Sequence, residues 1–228
     1  MKNYEIMPSI LQRFIWIPTR LLFTIFCSLE IKGIENIEST QGNVILASNH
    51  ISELDPVIIA SSLPFFSRHL PLFFTSREKE FYKNKGWKKI IYGGIFFKMW
   101  GAHQAYVGLN DYEQALRHHL KIMRGGKTVS IFPSGKRVLK GETMQVKGGV
   151  SFLAQATQLP IIPILIQGAE HISIQDFFSG KRKIKINFGK PIYAKDIFKN
   201  PESITMNNLQ NDYETASAIV MEKILQLS

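Results

Sequence analysis

The sequence predicts an α/β fold: a mixed, largely parallel sheet flanked by helices, with an amphipathic N-terminal helix suited to a membrane interface. Three observations predict it. Short apolar runs alternate with helix-length segments, the pattern that layers helices against a sheet. Several of those runs are apolar with hardly a break, as strands buried on both faces are: NVILAS over Asn43–Ser48, TVSIF over Thr128–Phe132 and IIPILIQ over Ile161–Gln167. The third is the segment ILQRFIWIPTRLLFTIFCS over residues 10–28, apolar and aromatic but broken by Arg13, Pro18 and Arg20.

Taken in order, that N-terminal segment comes first. An arginine at a bilayer centre costs about 2.5–3.5 kcal/mol on insertion scales, which disfavours a comfortable span. A secretory signal fits badly too, because charge interrupts the apolar core and no A-x-A-like site follows. Arg13 and Arg20 are seven apart and share a helix face, while Phe14, Trp16, Leu21, Phe23 and Phe26 lie largely elsewhere. That is the pattern of a helix lying in the interface with arginines reaching phosphates. The alternative is an ordinary amphipathic helix docked on the core.

Asn43–Ser48 then reads as a buried strand. Asp55-Pro56 opens a helix, with aspartate as N-cap and proline in the first helical position. Leu70–Thr75 is a further strand candidate. Trp87–Trp100 reads as a core helix or a second membrane-facing surface. Asp111–Met123 is an amphipathic helix stopped by Gly125-Gly126. Thr128–Phe132 is a buried strand, Gly149–Gln158 a helix, Ile161–Gln167 a strand, Ile184–Phe188 a half-exposed strand and Leu209–Leu227 a helix.

Composition bounds the function. With 228 residues, 45% hydrophobic and 20% charged, the chain is too apolar for disorder. A net charge of +10 favours anionic partners: nucleic acid, anionic lipid headgroups or phosphorylated substrates. No nucleic-acid module and no face of interleaved aromatics and basics is found, so nucleic acid is not an expected partner. The single cysteine, Cys27, excludes an intrachain disulfide framework and a cysteine-rich zinc site, and suits a reducing compartment.

Chemistry concentrates in two places. In Asn49-His50-Ile51-Ser52-Glu53-Leu54-Asp55-Pro56, a histidine ends a buried strand and an aspartate follows five residues later at a helix start. The turn between them can fold the carboxylate back on the imidazole, fixing its tautomer and leaving the other ring nitrogen to accept a proton. Ser52-x-x-Asp55 also resembles a capping box, so helix capping is the competing reading. The second place is Ile131-Phe132-Pro133-Ser134-Gly135-Lys136-Arg137, again after a buried strand and so at the same sheet edge as His50. Gly135 allows close backbone approach, and Lys136 and Arg137 supply cationic donors for a phosphate, with Lys140 and Lys147 adding to the field.

Together, in this order, the two motifs resemble those of the glycerolipid acyltransferase family, which includes glycerol-3-phosphate and 1-acylglycerol-3-phosphate O-acyltransferases. Asn49, His50 and Asp55 match its Asn-His-x-x-x-x-Asp motif (HX4D). Phe132, Pro133, Gly135 and Arg137 match its Phe-Pro-Glu-Gly-Thr-Arg motif. Leu159–Ile164 (LPIIPI) matches its apolar proline-bearing strand, and Gly189-Lys190-Pro191-Ile192 its late strand end. The resemblance runs from about Arg13 to Ile192.

It implies an O-acyltransferase of phospholipid biosynthesis that moves a fatty acyl group from acyl-CoA or acyl-carrier protein to a glycerol-phosphate-type hydroxyl, foremost lysophosphatidic acid. It implies His50 as general base, Asp55 as its orienter, and Asn49, Ser134, Gly135, Lys136 and Arg137 as substrate-binding residues, with Arg137 helping to hold the acceptor phosphate. The thioester docks near an apolar groove between sheet and helices, and backbone N–H groups near Gly135 are candidate oxyanion donors. No metal and no cofactor beyond the donor substrate is implied. Residues 1–30 form a membrane-associating segment and residues 31–228 the catalytic domain. The protein is expected on the cytoplasmic face of a membrane, peripheral or monotopic.

The pattern departs from the family at Val107, where an arginine is usual after Gly101, at Ser134 for glutamate and at Lys136 for threonine. These leave room for glycerol-3-phosphate, another lysolipid or an amino-lipid as acceptor, or for a non-catalytic lipid-binding module. Thioester hydrolysis, with water as acceptor, needs the same pair. A Ser52-to-Asp55 loop carrying Glu53 and a Pro-Ser-Gly turn resemble the plastid-type glycerol-3-phosphate acyltransferases. His103 reads as packing, and His118-His119 and Lys181-Arg182-Lys183 as solvated. Gly126-Lys127-Thr128 lacks the first glycine of a P-loop, and there is no G-x-S-x-G elbow.

Overall fold

The computed structural model describes residues 3–76, 98–106, 111–137, 145–198 and 209–228. Among these, the strands are β1 Glu30–Lys32, β2 Ile45–Ser48, β3 Phe73–Ser76, β4 Ala102–Gln104, β5 Val129–Ile131, β6 Ile161–Gln167 and β7 Lys185–Phe188. The helices are α1 Asn3–Cys27, α2 Ile34–Glu38, α3 Asp55–Ser62, α4 Tyr112–Arg124, α5 Gly149–Thr157, α6 Ile174–Phe178, α7 Ala194–Ile197 and α8 Leu209–Leu225. The strands make one sheet in the order β1-β7-β6-β2-β5-β3-β4. β2 runs parallel to both β5 and β6, while β7 is antiparallel to β6 and carries β1 parallel beside it. The sheet is therefore mixed and largely parallel, flanked by helices on both faces, as expected.

The apolar runs explain the centre. All four residues of β2 are buried, because helices cover both faces of a parallel sheet. Alternate residues go to opposite layers. Ile45 and Ala47 join Val129, Ile131 and Phe73 beneath α4, α5 and α8. Leu46 joins Phe74, Ile162 and Ile164 beneath α1 and α3, where Phe23, Ile58 and Ile59 close the second layer. Three-residue β1 and β4 at the sheet edges were not expected.

α1 corrects one expectation. Arg13 and Arg20 do not reach outward. Arg13 Nη1 donates to the Phe65 carbonyl at 2.7 Å, Arg20 Nη1 to the Ser61 carbonyl at 3.0 Å, and Trp16 Nε1 to the Leu63 carbonyl at 2.9 Å. The Ser61 and Leu63 carbonyls at the end of α3 lack helical partners, and a helix C-terminus attracts cations; the Phe65 carbonyl lies two residues beyond the C-cap. One turn earlier, buried Gln12 clamps the start of β3: its Nε2 donates to the Leu72 carbonyl at 2.7 Å and its Oε1 accepts from the Leu72 N–H at 2.8 Å. The opposite side of α1 exposes Ile10, Phe14, Ile17, Leu21 and Ile25, with Phe14 82% accessible. By length and composition, Ile6–Cys27 is long and apolar enough to cross a membrane.

Trp16→Phe keeps an aromatic ring beside Phe65 but removes the indole donor to the Leu63 carbonyl together with one ring of packing. It is expected to cost at least about 1 kcal/mol in urea unfolding. A loss under about 0.3 kcal/mol would mean the bond does not support α3.

α4 begins at an Asp111 N-cap, whose carboxylate accepts from the Glu113 and Gln114 N–H groups. His119 lies on its buried side, fully enclosed, against the expectation of solvation, which holds only for His118. The cause is visible in the stripe it shares with Ala115, Ile122 and Met123, all facing the sheet. His103 of β4 packs 6.4 Å away, ring centre to ring centre. The segment Trp87–Trp100, up to residue 97, lies outside the described residues, as do Val107 and Lys140.

Candidate active site

β2 and β5 are parallel neighbours with Ala47 opposite Ile131, so the loops that follow them emerge side by side. His50 comes two residues after β2 and Phe132 immediately after β5. Their rings stack at 4.1 Å and 17°. One face of the imidazole is thereby covered by a hydrocarbon ring that the strand end holds in place.

Asp55 is fully buried. Its Oδ2 accepts three hydrogen bonds: from His50 Nδ1–H at 2.7 Å, from Ile51 N–H at 2.8 Å and from Ser52 N–H at 2.9 Å. The first bond assigns the Nδ1–H tautomer and leaves Nε2 with its lone pair, so an imidazole held this way can accept a proton at Nε2. Asp55 is the first residue of α3, with Leu54 as N-cap, rather than the cap itself. Its carboxylate turns back to the loop instead of bonding forward into the helix, which decides between the two readings of the Ser52-x-x-Asp55 pattern. The helix N-terminus favours negative charge there.

The Asn49 amide is engaged with β6: Nδ2 donates to the Ile166 carbonyl at 2.8 Å and Oδ1 accepts from the Ile166 N–H at 2.8 Å. It clamps the start of the loop to that strand. A polar side chain just past a strand end has unpaired backbone of the adjacent strand to satisfy. Ser134 is buried, and its Oγ donates to the Lys136 carbonyl at 2.6 Å, so it shapes the turn. The Gly135 N–H donates to the Phe132 carbonyl at 2.9 Å, closing that turn. Gly135 sits at φ +62°, and an added Cβ would meet only Lys147 Cγ at 3.5 Å; the turn needs glycine for its left-handed backbone, not for space.

That turn presents Lys136 and Arg137 outward beside the histidine loop. Arg137 Nη2 lies 3.2 Å from Glu53 Oε1, an ion pair linking the two motifs that sequence reading had not proposed. The signal was present: a carboxylate midway between His50 and Asp55, opposite a turn rich in cations. Lys147 stays half-exposed and pairs loosely with Glu214 at 3.9 Å.

Glu53 also borders a groove of about 420 Å³ walled by Trp16 of α1, Val57 and Ala60 of α3 and Phe74 of β3. The lining is overwhelmingly apolar. Among the described residues, no cluster of three or more histidine, cysteine or acidic side chains is arranged to hold a metal ion.

A histidine–aspartate pair at a strand end, a basic turn beside it and a mixed sheet define the class. The acyltransferase family profile matches residues 28–167, well over half of the sequence, and the chain belongs to the acyltransferase family. Within it, the chain is 27% identical over 168 residues to the 1-acyl-sn-glycerol-3-phosphate acyltransferase of Bacillus subtilis, covering 73% of this chain and 75% of that protein. It is 25% identical over 202 residues to the enzyme of the same name from Borreliella burgdorferi, covering 86% and 70%. Its fold matches the crystal structure of the 1-acyl-sn-glycerophosphate (LPA) acyltransferase PlsC from Thermotoga maritima with a TM-score of 0.63 and 20% identity, over all of this chain and 83% of that one.

Proposed function

We propose that this protein is a 1-acylglycerol-3-phosphate O-acyltransferase of glycerolipid synthesis, acting at a membrane surface on its cytoplasmic face. The observation that carries the proposal is the His50–Asp55 pair, locked by three bonds on one carboxylate oxygen and bordered by Arg137. The names of the relatives supply the acceptor class.

His50 Nε2 removes the acceptor's hydroxyl proton as that oxygen attacks the carbonyl carbon of the acyl thioester. The C–S bond breaks, an ester forms, and the thiolate leaves with the proton returned through His50. Asp55 holds the imidazole in the required tautomer and steadies the imidazolium. A thioester is already activated, so no covalent acyl-enzyme step is needed. Arg137, with Lys136 beside it, holds the acceptor phosphate. The acyl chain lies in the apolar groove under α1 and α3. The outward stripe of α1, from Ile10 to Ile25, meets lipid, which delivers the acceptor and receives the product. The donor is acyl-CoA or acyl-carrier protein.

The test is product analysis by mass spectrometry on vesicles. Lysophosphatidic acid, glycerol-3-phosphate and lysophosphatidylethanolamine would be offered separately with each donor. The expected result is phosphatidic acid from lysophosphatidic acid. Free fatty acid released at the same rate without acceptor would identify a thioester hydrolase instead. In the same assay Arg137→Ala is expected to raise the acceptor KM about tenfold, the value of one charge-assisted bond. An unchanged KM would remove Arg137 from the phosphate site.

A further inference from the structure

Glu53 has no part in the mechanism above, yet it sits inside the catalytic loop. Its carboxylate lies 3.2 Å from the guanidinium that the proposed function reserves for the acceptor phosphate. The same residue borders the apolar groove, so it stands where headgroup and acyl chain must meet. We propose that Glu53 is a resident counter-anion of Arg137, which the acceptor phosphate displaces on binding, so that Glu53 sets acceptor affinity. This inference rests on the reading of Arg137 as the phosphate-holding residue.

The charge balance favours exchange. A guanidinium with one carboxylate is neutral as a pair. A phosphomonoester brings a charge of about −1.5 to −2 and three acceptor oxygens, against the single charge of the carboxylate. Both side chains are about two-fifths accessible, at 43% for Arg137 and 40% for Glu53, so the released carboxylate has solvent to move into. Asp55, by contrast, is fully buried and bound by three donors, so no phosphate competes for its partners. The two acids of the loop thus divide: one is fixed on the imidazole, the other is exchangeable. In the empty enzyme the ion pair also holds Arg137 beside the histidine loop, and weakly bound anions must first break it.

The experiment measures acceptor KM with lysophosphatidic acid, and the inhibition constant of inorganic phosphate against it, for the full-length protein and three variants: Glu53→Gln, Arg137→Gln and the double substitution. Glu53→Gln is expected to lower both constants two- to fivefold, the value of a half-exposed ion pair. The gain is expected to vanish in the Arg137→Gln background. If Arg137→Gln alone raises KM but Glu53→Gln leaves it unchanged or raises it, the counter-anion role is overturned while the phosphate role of Arg137 stands. If Arg137→Gln alone leaves KM unchanged, the phosphate reading fails and this inference fails with it. Thermal unfolding of each variant separates these outcomes from loss of fold.

Discussion

Replacing His50 by alanine is expected to lower kcat by about 10²–10⁴, the usual value of a positioned general base. Asp55→Asn is expected to fall in the same range although it changes only one functional group. The carboxylate oxygen now accepts from His50, Ile51 and Ser52 together. An asparagine can set its amide oxygen in the same place and accept all three, but it brings no negative charge to steady the imidazolium, and its amide nitrogen takes the buried place of Oδ1, which has no hydrogen-bond partner. His50 then keeps its Nδ1–H tautomer, but the proton it takes up at Nε2 is no longer balanced by a carboxylate charge. The loss should therefore appear in kcat far more than in acceptor KM. An Asp55→Asn enzyme within threefold of wild-type kcat would show that the pair is only a structural tie.

The second large effect is on stability in acid. His119 is enclosed between α4 and the sheet, and burial, with His103 nearby, pushes its imidazole down to about 3. Its ring lies close to the backbone of Phe74 and His103, but neither ring nitrogen makes a hydrogen bond of good geometry. Burial, followed by His118, lowers His103 to about 4. Unfolded histidine titrates near 6.5. Below that pH the unfolded chain takes up protons that the folded one refuses, so stability falls as pH drops from 6.5 toward about 4. Between pH 7 and 5 His119 alone should remove about 2 kcal/mol. His119→Leu is expected to hold or raise stability at pH 7 and to shrink the fall between pH 7 and 5 by that amount. Urea midpoints at the two pH values measure it. Equal falls in variant and wild type would show that another group governs acid unfolding.

How much of this was legible in the sequence depended on the kind of signal. β6 was read to its exact ends because IIPILIQ is an unbroken apolar run, the mark of a central strand. α4 was read within a residue because its cap, period and glycine stop agree. β1 and β4 were not legible. Three residues carry too little pattern, and both strands exist only through partners far along the chain, Lys185–Asn187 and Phe74–Ser76. The His50–Asp55 pairing was legible as one of two readings of a five-residue spacing, and the motif resemblance favoured it over helix capping; the bond of 2.7 Å joins the two side chains. For Asn49 and Ser134 the motif marked residues that matter, but the bonds to Ile166 and Lys136 were not legible, because a motif does not report which way an amide or hydroxyl turns. Arg13 and Arg20 failed for a related reason: a shared helix face is local information, and what that face meets is not. His119 could have been placed, since Ala115, Ile122 and Met123 mark its stripe as the buried one.

The loop from Asn49 to Asp55 joins a strand to a helix, a place where backbone amides ordinarily exchange their hydrogens with water in moments. Here its first residue is fastened to Ile166 on β6 and its last residue recaptures the amides of Ile51 and Ser52. Those two amides lead to a carboxylate that water does not reach. Their release therefore requires that buried carboxylate to let go of both, and the two amides are expected to exchange far more slowly than those of an ordinary loop, which native-state hydrogen exchange measures. The exposed Arg137 side of the site has no such restraint and is the side free to adjust.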